Sequence, residues 1–160
     1  LYMVTLAVTM LAGPSLGRAV ARFGERAVLV FEYVGLTVVF LLYAGVYVYD
    51  WGAGIAAALY VANNIFFSLA LAIKTYFQKI ASPEDIAPTA AVAFTINHIA
   101  AVFLPAGLGY LWQSSQVSVY LLAAAMAFVS LLLSLLVPRD TTEGNETTLT
   151  GRGGALAPAE

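Results

Sequence analysis

Four long apolar stretches constrain this 160-residue sequence more than any other feature. They cover residues 27–49, 51–73, 89–112 and 117–137. A helix that crosses a hydrocarbon core of about 30 Å needs about 20 such residues, and each stretch is long enough. Because 61% of the residues are hydrophobic and only 10% are charged, the chain has more apolar side chain than a soluble core of this size encloses. The sequence therefore predicts an all-α fold, a polytopic bundle of transmembrane helices.

The two ends of the sequence differ from these four stretches. Residues 1–16 are apolar but span only about 24 Å as a helix before the first arginine, so we expect the end of a fifth, truncated span. Residues 138–160 are rich in Thr, Gly, Glu and Ala, which predicts a disordered cytoplasmic tail after a bundle formed by residues 1–137. Asn145 begins a glycosylation acceptor sequence, which a cytoplasmic location would leave unmodified.

The basic residues predict the orientation of the bundle. Six cations fall in the first and third connections or just after the last stretch, and the seventh lies in the tail: Arg18, Arg22, Arg26, Lys74, Lys79, Arg139 and Arg152. The second and fourth connections contain no Lys or Arg. Because cytoplasmic loops carry the excess of basic residues, we expect a multi-pass protein of the cell (inner) membrane with a cytoplasmic C-terminus.

Several classes of function are disfavoured by what the sequence lacks. It contains no cysteine and a single histidine, and its formal net charge is only −2. We find no metal-ligand cluster, phosphate-binding loop or paired intramembrane carboxylates. The sequence therefore predicts no enzyme, no cofactor, no metal site and no nucleic-acid partner.

The first connection carries the most specific motif. Its residues 17–26 read GRAVARFGER. The segment resembles the loop signature of the major facilitator superfamily, with Gly17, Arg22, Gly24 and Arg26 at matching positions. Ala21 replaces the usual Asp, and an acidic residue, Glu25, stands where a basic one is common. A short basic loop with two glycines would look similar without any such relationship.

The position of the motif along the chain supports the resemblance. In this superfamily the signature recurs, often degraded, between the eighth and ninth of twelve helices, and four apolar stretches follow it here. The resemblance implies the C-terminal six-helix half from the end of helix eight through helix twelve. It implies transport of a small solute by alternating access, together with N-terminal helices of the same protein and with protons as a candidate coupling ion. The alternative is a non-transporting helical subunit, or an incomplete product that needs a partner.

Polar residues are concentrated in the stretches from residue 51 and residue 89, so we expect these two helices to face the protein interior. The resemblance makes six of them candidates to line a substrate cavity: Tyr60, Asn63, Asn64, Ser68, Asn97 and His98. Hydrogen bonds between helices are the alternative role for these side chains. His98 is also the candidate for proton coupling, against the alternative of a neutral imidazole bonded to another helix.

Three further features predict local structure. Pro105, followed by Gly107 and Gly109, favours a kink that would serve gating. Ser82 and Pro83 are typical of a helix start, and we expect a short cytoplasmic helix that leads to the span after Pro88. For Glu32 we expect either an ion pair with a loop arginine at the interface or a role in a proton relay.

Overall fold

The computed structural model describes residues 2–139, 141 and 147–149, and the secondary structure of this part of the chain is helical. Its elements are α1 (Tyr2–Phe23), α2 (Glu25–Tyr49), α3 (Ala53–Phe67), a 3-10 turn (Ser68–Ala70), α4 (Leu71–Ile80), α5 (Pro83–Ser114) and α6 (Gln116–Ser134). Within the described ranges, four helical spans are long and apolar enough to cross a membrane: α2, α3 with α4, α5 and α6. The predictions of an all-helical chain and of multiple membrane-compatible helices are confirmed.

The first connection is shorter than the sequence suggests. Helix α1 continues through Gly17 to Phe23, and the chain reverses at Gly24 alone, where φ is 81° and ψ is 159°. This backbone conformation is accessible essentially only to glycine. Arg18 supports the last turns of α1, because its side chain donates to the carbonyl of Pro14 at 3.3 Å and to the hydroxyl of Ser15 at 3.1 Å.

Helix α5 begins where the sequence predicts but does not end there. Ser82 is extended and Pro83 occupies the first helical turn, and the Ser82 hydroxyl donates to Asp85 Oδ2 at 2.8 Å. The expectation of a separate short helix before Pro88 is wrong, because α5 is continuous through both Pro88 and Pro105. Proline removes only one backbone donor, and membrane helices tolerate it without ending.

Helix α2 is the centre of the bundle. It packs most extensively against α6, and then against α3, α4 and α1. Gly35 allows α2 and α3 to approach closely, because a Cβ atom at this position would overlap the ring of Phe66 on α3. Phe66 also packs against Phe31, with ring centroids 5.5 Å apart. The contact between α2 and α3 therefore depends on a residue without a side chain.

The most enclosed apolar cluster lies where α1 meets α2 and where α6 ends. Its buried members are Val20, Val28, Leu29, Leu69, Ala72 and Val137. Large apolar side chains elsewhere point outward, including Phe31, Phe103 and Leu133, each more than half exposed within the chain. Such a distribution fits a lipid-facing surface, since a soluble monomer rarely exposes so much contiguous apolar area.

Candidate functional site

Polar side chains join three segments at one end of the bundle. Lys79, in the last turn of α4, forms an ion pair with Glu25 at the start of α2, with Nζ and Oε1 2.6 Å apart. Thr141, beyond α6, donates to Glu25 Oε2 at 3.2 Å. Glu25 is only 3% exposed, so its charge is compensated by these two partners more than by water. We call this end, defined by Glu25, Lys79 and Thr141, the cationic end.

The cationic end agrees with the distribution of basic residues in the sequence. Contacts made by Glu25 bring together the α1–α2 connection, the end of α4 and the segment after α6. These are the connections that the sequence assigns to one side of the membrane. Part of the segment predicted to be disordered also folds back here, since the backbone N–H of Thr148 donates to the carbonyl of Leu136 at 2.8 Å. Asn145 and most of the predicted tail lie outside the described residues.

The residues of the loop motif have unequal structural roles. Gly24 makes the reversal, whereas Gly17 lies inside α1 with open space around its Cα. Arg22 is exposed and its guanidinium lies 5.6 Å from the centroid of the Phe23 ring. Arg26 is half-buried in the first turn of α2. Glu25, one of the two residues at which the segment departs from the major facilitator signature, makes the ion pair, and the motif gave no signal for this role.

Tyr60, Asn64 and Ser68 recur at intervals of four residues and form a polar stripe, which is hydrogen-bonded along its own span. Asn64 donates to the carbonyl of Tyr60 at 2.8 Å, and Ser68 donates to the carbonyl of Asn64 at 2.7 Å. These bonds of Asn64 and Ser68 therefore stay within one span and do not connect helices, which was the alternative role. Asn63 differs, because its Oδ1 is buried and has no hydrogen-bond partner among the described residues.

The 3-10 turn follows directly from this stripe. It begins at Ser68, whose hydroxyl bonds to the carbonyl four residues earlier, a geometry that competes with the helix and bends it. A 3-10 segment inside a long span often marks a hinge. The sequence predicts a kink at Pro105 instead, and α5 remains helical through Pro105, Gly107 and Gly109.

The polar residues of α5 are exposed. Thr95 donates to the carbonyl of Ala91 at 3.0 Å. His98 Nδ1 lies 2.9 Å from the carbonyl of Phe94, and the Phe94 ring is tilted by 35° against the imidazole, with centroids 3.8 Å apart. Neither side chain reaches another helix through these bonds. Asn97 is also exposed, and within the described residues its amide makes no hydrogen bond.

Helix α5 does not face the interior of the described bundle. None of its residues is buried, and it packs against α6, whereas α3 packs against α2 and α1. The structure therefore does not bring the two groups of cavity candidates together within this chain. The expectation of an interior-facing helix is met for α3 in part and is not met for α5, because no described helix lies over the face that carries Asn97 and His98.

Glu32 is buried inside the bundle, whereas the ion pair expected from the sequence required it to reach the membrane interface. It is 2% exposed in the middle of the packed face of α2, and its Oε2 has no hydrogen-bond partner in the described part of the chain. The interfacial ion pair is therefore wrong for the described residues, where Glu25 and Lys79 form the ion pair. A periodicity signal was available, since Glu32 follows Glu25 by seven residues and shares its helix face with Val28, Leu29 and Leu36.

Four aromatic rings connect helices at the opposite end. Tyr43 and Tyr47 of α2 stack on Tyr120 of α6, with centroids 4.9 and 5.5 Å apart, and Tyr47 meets Trp112 of α5 edge to face at 5.7 Å. We call these four residues the aromatic cluster. Tyr47 and Trp112 are 65 residues apart in the sequence, and nothing in the sequence predicts that their rings touch.

Within the described ranges, no group of three or more His, Asp or Glu side chains is placed to hold a metal ion. Comparisons with protein-family models, with curated proteins and with solved structures gave no match to this chain.

Proposed function

We propose that this chain is part of a secondary transporter that moves a small solute across a membrane by alternating access. The observation that carries the proposal is the exposed polar face of α5. Asn97 and His98 lie near the middle of an apolar 32-residue helix, and none of its residues is buried. An amide without a hydrogen-bond partner in hydrocarbon costs several kcal/mol. This face is therefore covered by protein or by water when the protein is in a membrane.

A polar, water-accessible face in the plane of the bilayer is what a solute pathway requires. Asn97, Ala101, Pro105 and Gly109 follow one another at intervals of four residues, and His98 lies within the same arc. Small residues on this arc leave room for a solute or for another helix. Tyr60, Asn63 and Asn64 of α3, with Ser68 at the start of the 3-10 turn, provide a second polar surface.

Alternating access also needs contacts that open on one side while others close on the other side. The bundle has separate sets of contacts at its two ends, the Glu25–Lys79 ion pair and the aromatic cluster. The 3-10 turn at Ser68–Ala70 lies between them in the span formed by α3 and α4. The resemblance of residues 17–26 to the major facilitator superfamily signature adds a family in which this mechanism operates.

The test compares cells that carry the full-length gene with cells that lack it. Untargeted metabolite analysis measures the solutes in the cytoplasm and in the medium of both. We expect at least one solute whose gradient depends on the gene. His98→Gln and Asn97→Ala should reduce that gradient and change its dependence on pH. Phe103→Leu is the matched control, because Phe103 lies on α5 about 120–140° around the helix from these two residues.

A second function is supported by the same exposed face. A non-transporting subunit would cover Asn97 and His98 with a partner helix instead of a solute pathway. In that case no solute gradient depends on the gene, and Asn97→Ala weakens co-purification of a partner. A normal gradient in cells carrying both the His98→Gln and Asn97→Ala changes would exclude α5 from the pathway.

A further inference from the structure

Two buried glutamates on one helix have opposite surroundings. Glu25 and Glu32 are 3% and 2% exposed, and they lie seven residues, or about 10 Å, apart along α2. Glu25 has an ammonium group and a hydroxyl group as partners. Glu32 Oε2 has neither within the described residues. The two glutamates therefore differ in their partners, although they are the same acid and are equally shielded from solvent.

The charged groups on the helices packed against α2 do not compensate Glu32. Helix α3, the 3-10 turn and α6 contain no Asp, Glu, Lys, Arg or His. On α4, Lys79 is paired with Glu25, and Lys74 is exposed. On α1, Arg18 is bonded to its own helix, and Arg22 is exposed over an aromatic ring.

The described residues give neither Arg26 on α2 nor Arg139 after α6 an ion pair with Glu32, and the other titratable groups near this face are phenols. Tyr33 is the next residue on α2 and is half-buried. Tyr76 of α4 packs on the neighbouring apolar cluster and has an interaction of its own. Tyr60 of α3 is half-buried, and Tyr120 of α6 stacks with Tyr43 in the aromatic cluster. A phenol is neutral at physiological pH and cannot balance a carboxylate charge.

A carboxylate enclosed in apolar surroundings without a cation or donors is strongly disfavoured, whereas the neutral acid is far less costly to bury. We propose that Glu32 is a proton-binding site inside the bundle and holds the coupling proton of this protein. The reaction is a simple exchange, in which the carboxylate and a hydronium ion from water give the carboxylic acid and a water molecule. The coupling role rests on the transport function proposed above, whereas the proton-binding site does not.

The location of Glu32 fits exchange with one side of the membrane at a time. It lies about 10 Å along α2 from Glu25 at the cationic end, which is roughly one third of a hydrocarbon core of about 30 Å. Gly35 and Phe66 close the contact between α2 and α3 one turn further along. Water therefore has a shorter route from the cationic end than from the aromatic cluster.

Infrared spectroscopy of the chain in liposomes tests the site directly, because a protonated carboxyl group absorbs separately from a carboxylate. At pH 7 we expect one protonated-carboxyl band in the unmodified chain, which Glu32→Gln abolishes. Glu25→Gln is the matched control and should leave the band intact, since Glu25 is paired with Lys79 and is ionised. Absence of the band from the unmodified chain, or its persistence in Glu32→Gln, overturns the proposal.

Two additional measurements keep the result interpretable. Glu32→Asp retains a carboxylic acid and should show the protonated-carboxyl band at a shifted frequency. Equal helix content in Glu32→Gln and the unmodified chain then shows that misfolding is not the cause of the missing band in Glu32→Gln. Transport in vesicles with an imposed pH gradient then tests coupling, and we expect Glu32→Gln to lose the response to the gradient. An intact response would refute the coupling role and leave the proton site, whereas a missing infrared band would refute the site and leave transport.

Discussion

The ion pair between Lys79 and Glu25 gives a quantitative prediction because its two partners differ in exposure. The Lys79 side chain is 52% exposed, whereas Glu25 is 3% exposed. Lys79→Met leaves the Glu25 carboxylate buried, with only the Thr141 hydroxyl as a donor from another segment. Breaking a fully buried pair costs about 3–5 kcal/mol, and fully exposed pairs are worth about 0–1 kcal/mol. Because water reaches Lys79, we expect Lys79→Met to lower the free energy of unfolding by about 1–2 kcal/mol, which lies between these limits.

Glu25→Gln should cost less than Lys79→Met, about 0.5–1 kcal/mol. The ammonium that it leaves behind is solvated, and the new amide oxygen still accepts a hydrogen bond from Thr141. Once Glu25 is neutral, loss of Lys79 removes little more, so the double variant should be more stable than the sum of the two single changes predicts.

The measurement is reversible unfolding in mixed detergent micelles by titration with a denaturing detergent. A loss of 1–2 kcal/mol corresponds to a factor of about 5–30 in the unfolding equilibrium. Lys74→Met is the matched control on α4, because the described residues give Lys74 no ion pair, and its effect should stay within about 0.5 kcal/mol. Equal stability of Lys79→Met and Lys74→Met, or a larger loss from Glu25→Gln than from Lys79→Met, would refute this reasoning.

Two glycine positions yield further predictions for the same unfolding assay. Gly24→Ala should destabilise the chain by about 1–3 kcal/mol because its φ of 81° and ψ of 159° are nearly forbidden to alanine, whereas Gly17→Ala inside α1 should be neutral or stabilising by about 0.5–1 kcal/mol. Equal effects at these two positions would contradict the assignment of the reversal to Gly24. Gly35→Leu should cost about 1–3 kcal/mol through overlap with Phe66, and Gly54→Ala, which has open space, serves as its control. Similar stability of the Gly35→Leu and Gly54→Ala chains would rule out the tight contact between α2 and α3.

The main helices could be predicted from the sequence because bilayer thickness sets their length. Each apolar stretch of about 20 residues lies in a membrane-compatible helical span, one of which the 3-10 turn divides, and the one-sided cations anticipated which connections lie together at the cationic end. Boundaries were less accurate where the deciding factor is local. Helix α1 extends past Gly17 because nothing there requires a positive φ, and only Gly24 ends it.

Features that depend on contacts between helices could not be predicted in the same way. Glu25 appeared in the sequence as a departure from a basic motif, and its partners Lys79 and Thr141 are 54 and 116 residues away. Glu32 was judged by its distance from Arg26 along the chain, although its position on the helix face decides its burial. The 3-10 turn at Ser68 coincides with a hydrogen bond from the Ser68 hydroxyl to the carbonyl of Asn64, and nothing in the sequence pattern predicts a turn there.

Whether the helices cross a membrane with all basic connections on one side can be tested by cysteine labelling, since the sequence has no cysteine of its own. Glu84→Cys and Gln113→Cys place single thiols at the two ends of α5, at exposed positions about 44 Å apart. In intact cells an impermeant maleimide should label Cys at position 113 at once and at position 84 only after the membrane is permeabilised. Labelling of both positions from the same side would contradict a membrane-spanning α5 and the topology built on it.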